Sequence, residues 1–437
     1  MAVSIPDDIM LLIYLRLVRF EDVKFEDAKD KWPAMIYDHH AAQVPFTLAA
    51  VCQRWRGLAL ATPTLWTYFG FPPAESMDGR DLMRFELLRD RAGAAPIDVV
   101  FGWQYRDGGP WSSEPSRLVS KGIVDMHLRW KTVVLHVQGS VKSCQAWDQV
   151  FESSHWPILE SLSLSINTYT TELPLAPRLR RLWLSCHPYI VDTSFIAGGY
   201  PLLAALSISC NSASLVKRLL PMLSSQLLEL VLVDECRRPK DHTEWNSNRS
   251  VFPALQFLTL NHADWLQHID APALRKLLLT KTYINEHYED APIEALYRFD
   301  HLEELQLCGG PWDAIELATL AGSSNITTLS FCSSPSLTVA LGDGVDQYRL
   351  DIWTLRELTS LNPLIWPCLQ RLHFAWFDSG QPAVNAQDIV DFVSARNAKS
   401  ADSDHGQPAT ARIVEVVANH AGAPDWLEDK LKELTMK

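Results

Sequence analysis

Apolar residues recur along this chain in the frame L-x-x-L-x-L. Phe252–Leu260 reads FPALQFLTL, and kindred stretches stand at Trp156–Leu164, Ala176–Leu184, Tyr200–Ile208, Ala271–Leu279 and Trp366–Phe374. Versions without the proline stand at Gln226–Leu232, His301–Leu307 and Asn325–Phe331, and a weaker first copy at Trp130–Leu135. The second and third apolar positions are two residues apart, as side chains on one face of a strand must be. Leu206, Leu258, Leu260, Leu277 and Leu279 are thereby expected inside, and the residue between each pair faces out. A proline lacks an N–H and biases its predecessor away from helix, so each one ends what came before and admits the chain to a strand. Successive frames begin 19 to 29 residues apart until the last step of 43. Self-similarity at such a period predicts stacked units of one strand and one helix or loop, an α/β architecture with a parallel sheet.

Ahead of the repeats the period becomes helical. Ile5–Val18 reads IPDDIMLLIYLRLV. Pro6 suits a first turn, Asp7 and Asp8 complement the helix dipole, and Ile9, Leu12, Ile13 and Leu17 fall on one face. Phe20–Val44 is polar and mixed, an exposed helix or loop. Across Phe46–Trp66, Leu48, Val51, Cys52, Trp55, Leu58 and Ala59 recur at three and four, and Pro63 ends that helix. Asp81–Arg91 predicts a short helix with Leu82, Phe85 and Leu88 inward, Ile97–Phe101 a strand, and Ser116–Met126 a helix beyond a Gly-, Pro- and Ser-rich loop. Between the repeat strands, Ala213–Leu223, Ile284–Phe299, Pro311–Leu320 and Asn385–Arg396 read as helices. The long last step holds an insertion. Lys399–Pro408 reads as a loop, Ile413–Val417 as a last strand and Asp425–Leu434 as a closing helix.

The repeats resemble leucine-rich repeats in an irregular form, over about residues 126–420. The family's Asn or Cys, eight after the first Leu, is Asn only at Asn167 and Asn211. Residues 1–70 resemble an F-box. Ile5-Pro6 matches its opening Leu-Pro, Ile9 and Ile13 its next apolar positions, Val51-Cys52 with Trp55 its V-C-x-x-W, and Pro63 with Leu65-Trp66 its closing P-x-L-W. An insertion of roughly 25 residues separates the halves, as in the F-box-like form common in fungal proteins. The expected organisation is a small helical F-box over 1–70, a junction over 71–125, and a leucine-rich-repeat solenoid with a C-terminal cap over 126–437. The sheet would line the solenoid's concave face, with helices and loops on the convex face. The alternative for the N-terminal helices is a cap that shields the first repeat.

Composition narrows the partners. The chain has 437 residues, 47% hydrophobic and 21% charged, with net charge −13. That sign disfavours a phosphate-binding surface, so nucleic acid is not expected. No apolar run approaches a membrane span. The N-terminus, MAVSIPDDIM, lacks a secretory signal, so a cytoplasmic or nuclear location with reduced thiols is expected. The eight cysteines form no C-x-x-C pair; Cys186, Cys210, Cys308 and Cys332 follow repeat strands and read as buried core thiols.

No phosphate-cradling glycine loop, H-E-x-x-H or G-x-S-x-G is present, and His39, His40 and His287 lack ligand partners at metal-binding spacing. No catalytic residue, metal or cofactor is therefore assigned. What remains is binding. The F-box resemblance implies a Skp-type adaptor and, through it, a cullin–RING scaffold. The chain would then be the non-catalytic substrate receptor of an SCF-type ubiquitin ligase. Its adaptor-facing residues would come from Pro6, Ile9, Ile13, Val51, Leu58, Leu65 and Trp66. On the concave face Arg181 and Trp183, with Phe257, Lys276 and Leu278, are the larger side chains among small ones and are the candidates for holding a target protein. The loops Glu235–Ser250 and Thr282–Asp290 are a second recognition edge. The alternative is a repeat scaffold that binds partners without ubiquitylation.

Overall fold

The chain is described from a computed structural model. The structure describes residues 6–18, 38–72, 76–104, 114–138, 155–166, 175–186, 200–210, 220, 226–234, 249–261, 263–281, 299–309, 325–332, 366–375, 386–401, 411–419 and 425–436. Outside them lie Ile5, the expected helices over 213–223, 284–299 and 311–320 apart from Leu220 and Phe299, the 333–365 insertion, and nearly all of both recognition loops. The chain divides into two compact units, Met1–Leu223 and Ser224–Lys437. The expected boundaries at 70 and 125 do not coincide with that division.

The first unit opens with α1 (Asp7–Val18), α2 (His39–Val51) and α3 (Gln53–Leu60), then a 3-10 turn over Pro63–Trp66. The pattern predicts one helix from Phe46; the structure has two, because Cys52 is extended (φ −158°, ψ 173°) and breaks the run. The helix also starts earlier than expected. Asp38 caps it, its Oδ1 accepting from the Ala41 amide at 2.9 Å. Strands β1 (Tyr68–Gly70), β2 (Ile97–Gln104), β3 (Trp130–Gln138), β4 (Ser161–Ile166), β5 (Arg181–Cys186) and β6 (Ala205–Cys210) follow. They pair in chain order, all parallel.

Helices α4 (Gly79–Ala92) and α5 (Glu114–Asp125) are inserted between these strands. A capping box opens α4. Asp78 Oδ1 accepts from the Arg80 and Asp81 amides at 2.7 and 3.3 Å, and Asp81 Oδ2 accepts from the Asp78 amide at 3.1 Å. Gly93, at φ +52°, ends it in a conformation few other residues adopt. A Cβ on Gly122 of α5 would stand 2.3 Å from the Phe85 ring, so α4 and α5 approach where only glycine fits.

The second unit holds β7 (Glu229–Asp234), β9 (Phe257–Leu260), β11 (Lys276–Lys281), β12 (Glu304–Gly309), β13 (Thr328–Cys332), β14 (Arg371–Ala375) and β15 (Glu415–Asn419) in one parallel ladder. A small side pair joins β8 (Ser250–Val251) to β10 (Ile269–Asp270). Helices α6 (Ala386–Ala401) and α7 (Asp425–Met436) close the unit. Among the described residues the architecture is mixed α/β with thirteen parallel strands in the two ladders, and those from β3 to β14 fall where the apolar frame puts them.

Register explains the frame. In the second unit Leu230, Leu258, Leu277, Leu305, Leu329 and Leu372 form one row, and Leu232, Leu260, Leu279, Leu307, Phe331 and Phe374 the next. All are buried. Leu206 of the first unit is buried likewise. The proline has a more specific role than starting a strand. It occupies the second position of a four-residue turn, closed by Leu255 N–H to Phe252 O at 3.2 Å and by Leu369 N–H to Trp366 O at 2.9 Å. Proline's fixed φ suits that position. The residue before it is a buried plug: Trp156, Ala176, Tyr200, Phe252, Ala271 and Trp366.

The last helix pair hides an unexpected cation. Arg396 of α6 is fully buried, and its Nη2 donates to the Trp366 carbonyl at 2.6 Å. Burial lowers its pKa to about 10, which leaves it protonated at neutral pH.

Candidate functional site

The N-terminal helices present one side and bury the other. Met10 and Tyr14 point α1 into the unit, with the Tyr14 ring 5.3 Å from that of Trp55 on α3. Arg54 Nε donates to Asp7 Oδ1 at 2.9 Å across the same contact. That pair is exposed and contributes little beyond fixing direction. Turned outward are Ile9, Leu12 and Ile13, at 44, 61 and 45% exposure, on one face of α1. Val51, at the end of α2, is also exposed, as is Pro6; Leu58 is half-buried. Leu12 shares the face of Ile9 and Ile13 and is more exposed than either, so the same spacing that selects those two should have selected it.

Leu65 and Trp66 are not available to a partner. Both are fully buried. Trp66 Nε1 donates to the Ala59 carbonyl at 2.8 Å, the Phe46 ring meets it edge-on at 5.3 Å, and the Arg91 guanidinium lies 4.3 Å from its centroid. Desolvation in that setting lowers the Arg91 pKa. The motif that suggested a contact surface is a fastener between α3, the 3-10 turn and α4.

The sheet candidates fall in different units. In the first, Arg181 is half-buried, and Trp183 is 6% exposed. Trp183 stands in register between Ser163 and Ser207, and Ser207 is itself buried. Trp183 is thus shielded where a projecting anchor was expected. In the second unit Phe257 is 45% exposed and directly opposite Lys276, whose Nζ meets Glu304 Oε1 at 3.2 Å. Leu278, half-buried, sits between Thr259 and Gln306 on the same face. Further along, Arg371 Nε meets Glu415 Oε2 at 3.3 Å. The face therefore carries alternating, internally paired charge that residue-by-residue reading did not reveal, because ion pairing depends on strand register.

Among the described residues no group of His, Cys, Asp and Glu is placed to hold a metal ion, and no helix is long and apolar enough to cross a membrane. No family model matches the chain, and no curated protein matches it. Among solved structures, a protein of Bacteroides fragilis superposes with a TM-score of 0.31 at 12% identity, over 55% of this chain and 65% of its own. A likeness at that level carries no argument about fold or activity.

Proposed function

We propose that the chain is the target-recognition subunit of an SCF-type cullin–RING ubiquitin ligase, acting in the cytoplasm or nucleus. The N-terminal helices dock a Skp-type adaptor through Ile9, Leu12, Ile13 and Val51, and the parallel strands hold a target protein. The chain itself makes and breaks no bond. It raises the target's effective concentration beside a ubiquitin-charged enzyme, which turns a bimolecular encounter into a local one. The V-C-x-x-W and P-x-L-W motifs suggest the reading. The observation that carries it is the apolar face of α1, left outside a helical unit whose opposite side is packed. Contiguous exposed apolar surface is a feature of protein–protein interaction sites.

The decisive experiment is co-expression with a Skp-type adaptor and a cullin. The wild-type chain is expected to retain both. Ile9→Asp with Ile13→Asp is expected to abolish adaptor co-purification while leaving thermal unfolding within a few degrees of wild type, since neither side chain is buried. Undiminished adaptor capture by the double variant would remove α1 as the docking face. Adaptor capture without cullin recruitment would instead favour a scaffold that acts without ubiquitylation.

A further inference from the structure

Two pairs of cysteines stand opposite each other across neighbouring parallel strands. In the first unit Cys186 of β5 is in register with Cys210 of β6, and in the second Cys308 of β12 is in register with Cys332 of β13. Four of the eight cysteines are placed in this way. The second pair shares a sheet face with Lys276, Leu278 and Gln306, because strand positions alternate. Its row reads Thr280, Cys308, Cys332, Ala375. Cys308 is a buried thiol. Cys368 of the same unit precedes β14 and so lies toward the opposite end of the strands. Neighbouring strands lie about 4.7–4.9 Å apart, and opposed α-carbons of an in-register parallel pair share that spacing. It falls inside the roughly 4.4–6.8 Å between the α-carbons of a disulfide. The β-carbons of a disulfide, roughly 3.5–4.5 Å apart, must come closer than two parallel Cα–Cβ bonds hold them. A bond here therefore closes with a local drawing-in of β12 and β13, and strained disulfides are the readily reduced ones.

We infer that Cys308 and Cys332 form a reversible dithiol–disulfide site joining β12 to β13. The oxidant is hydrogen peroxide, a molecule small enough to reach a buried thiol. One thiolate of the pair attacks a peroxide oxygen; the S–O bond forms as the O–O bond breaks, and the leaving hydroxide takes up a proton to become water. The second thiolate attacks the sulfenic sulfur; the S–S bond forms as the S–O bond breaks, and the leaving hydroxide is protonated in turn. The two sulfurs together give up two electrons, which peroxide accepts, and the two thiol protons end in the two waters. The cross-link would lie on the face that carries Phe257, Lys276 and Leu278, and it would tie two strands that meet only through the backbone ladder and their side chains.

Full-length protein is exposed to graded peroxide, the remaining thiols are alkylated, and the protein is digested without reduction for mass spectrometry. No Lys or Arg lies between positions 308 and 332, so trypsin keeps both in the peptide 299–349, and a further cut after Glu316 separates them. At a dose that consumes the exposed Cys52, the two fragments are expected to stay joined through Cys308 and Cys332 in most molecules. Reduced glutathione added to the folded, oxidised protein before alkylation is expected to part them. Recovery of Cys308 unlinked at that dose, whether alkylated or overoxidised, or linked to any cysteine other than Cys332, overturns the site. A cross-link that survives excess glutathione overturns its reversibility. Neither measurement involves an adaptor or a target, so both stand apart from the ligase reading.

Discussion

Trp66 carries three unlike contacts on one ring, and each has its own consequence. The indole N–H donates to Ala59, Phe46 meets the ring edge-on, and Arg91 covers its face. Trp66→Ala removes all of them and leaves a cavity, and is expected to cost about 3–5 kcal/mol in urea unfolding followed by circular dichroism. Trp66→Phe keeps most of the packing and loses the hydrogen bond, about 1 kcal/mol. The Ala59 carbonyl stays partnered in that variant, because the Thr62 amide also donates to it at 3.3 Å. Equal losses from the two substitutions would mean that the hydrogen bond, not the ring, is what matters. The residues on either side of this distinction look alike in the sequence. Val51 and Trp66 are both apolar motif positions, yet one is 55% exposed and the other fully buried.

At the scale of elements, α2 does what a polar N-terminal insertion was not expected to do. Its first turn packs Ala41 and Ala42 in a buried cluster with Tyr68, Val100 and Val134, on the side of β3 opposite Val133 and Leu135. The Tyr68 hydroxyl accepts from the Asp38 amide at 3.1 Å, which ties the cap of the helix to the first strand. Small residues are required where a helix lies this close to a sheet. Ala42→Leu is expected to destabilise by about 1–3 kcal/mol through overpacking. Ala50→Leu, at an exposed position of the same helix, should stay within about 0.5 kcal/mol. Comparable thermal shifts from both would show that α2 is not seated on the strands.

At the scale of the whole molecule, that contact decides what can be cut away. Residues 1–70 include Ala41, Ala42 and Tyr68 but not the Val100 and Val134 that complete their cluster. They also lack Arg91, which covers Trp66. A fragment of residues 1–70 is therefore expected to lose protection in amide hydrogen exchange across 39–51, whereas a fragment of residues 1–223 should keep it. Matching protection in the two would establish the helices as an independent domain. Small units with little core of their own are marginal, so the added strands weigh heavily.

The sequence by itself determined the ladder. A two-residue alternation that repeats at a near-constant period leaves one face of each strand apolar, and a slip by one residue would expose every leucine. Leu258 and Leu277 were therefore legible as core, and the helix near 81–91 was legible from its stripe of Leu82, Phe85 and Leu88. Only tertiary structure decided which apolar faces stay outside. A stripe such as Ile9, Leu12 and Ile13 has the same spacing whether it faces a core or a partner, and it is Met10 and Tyr14 that α1 turns inward. The same holds for the sheet candidates. Trp183, in register between Ser163 and Ser207, is buried, while Phe257, opposite Lys276, stays exposed. Burial and juxtaposition are set by what packs on a residue, not by its own spacing.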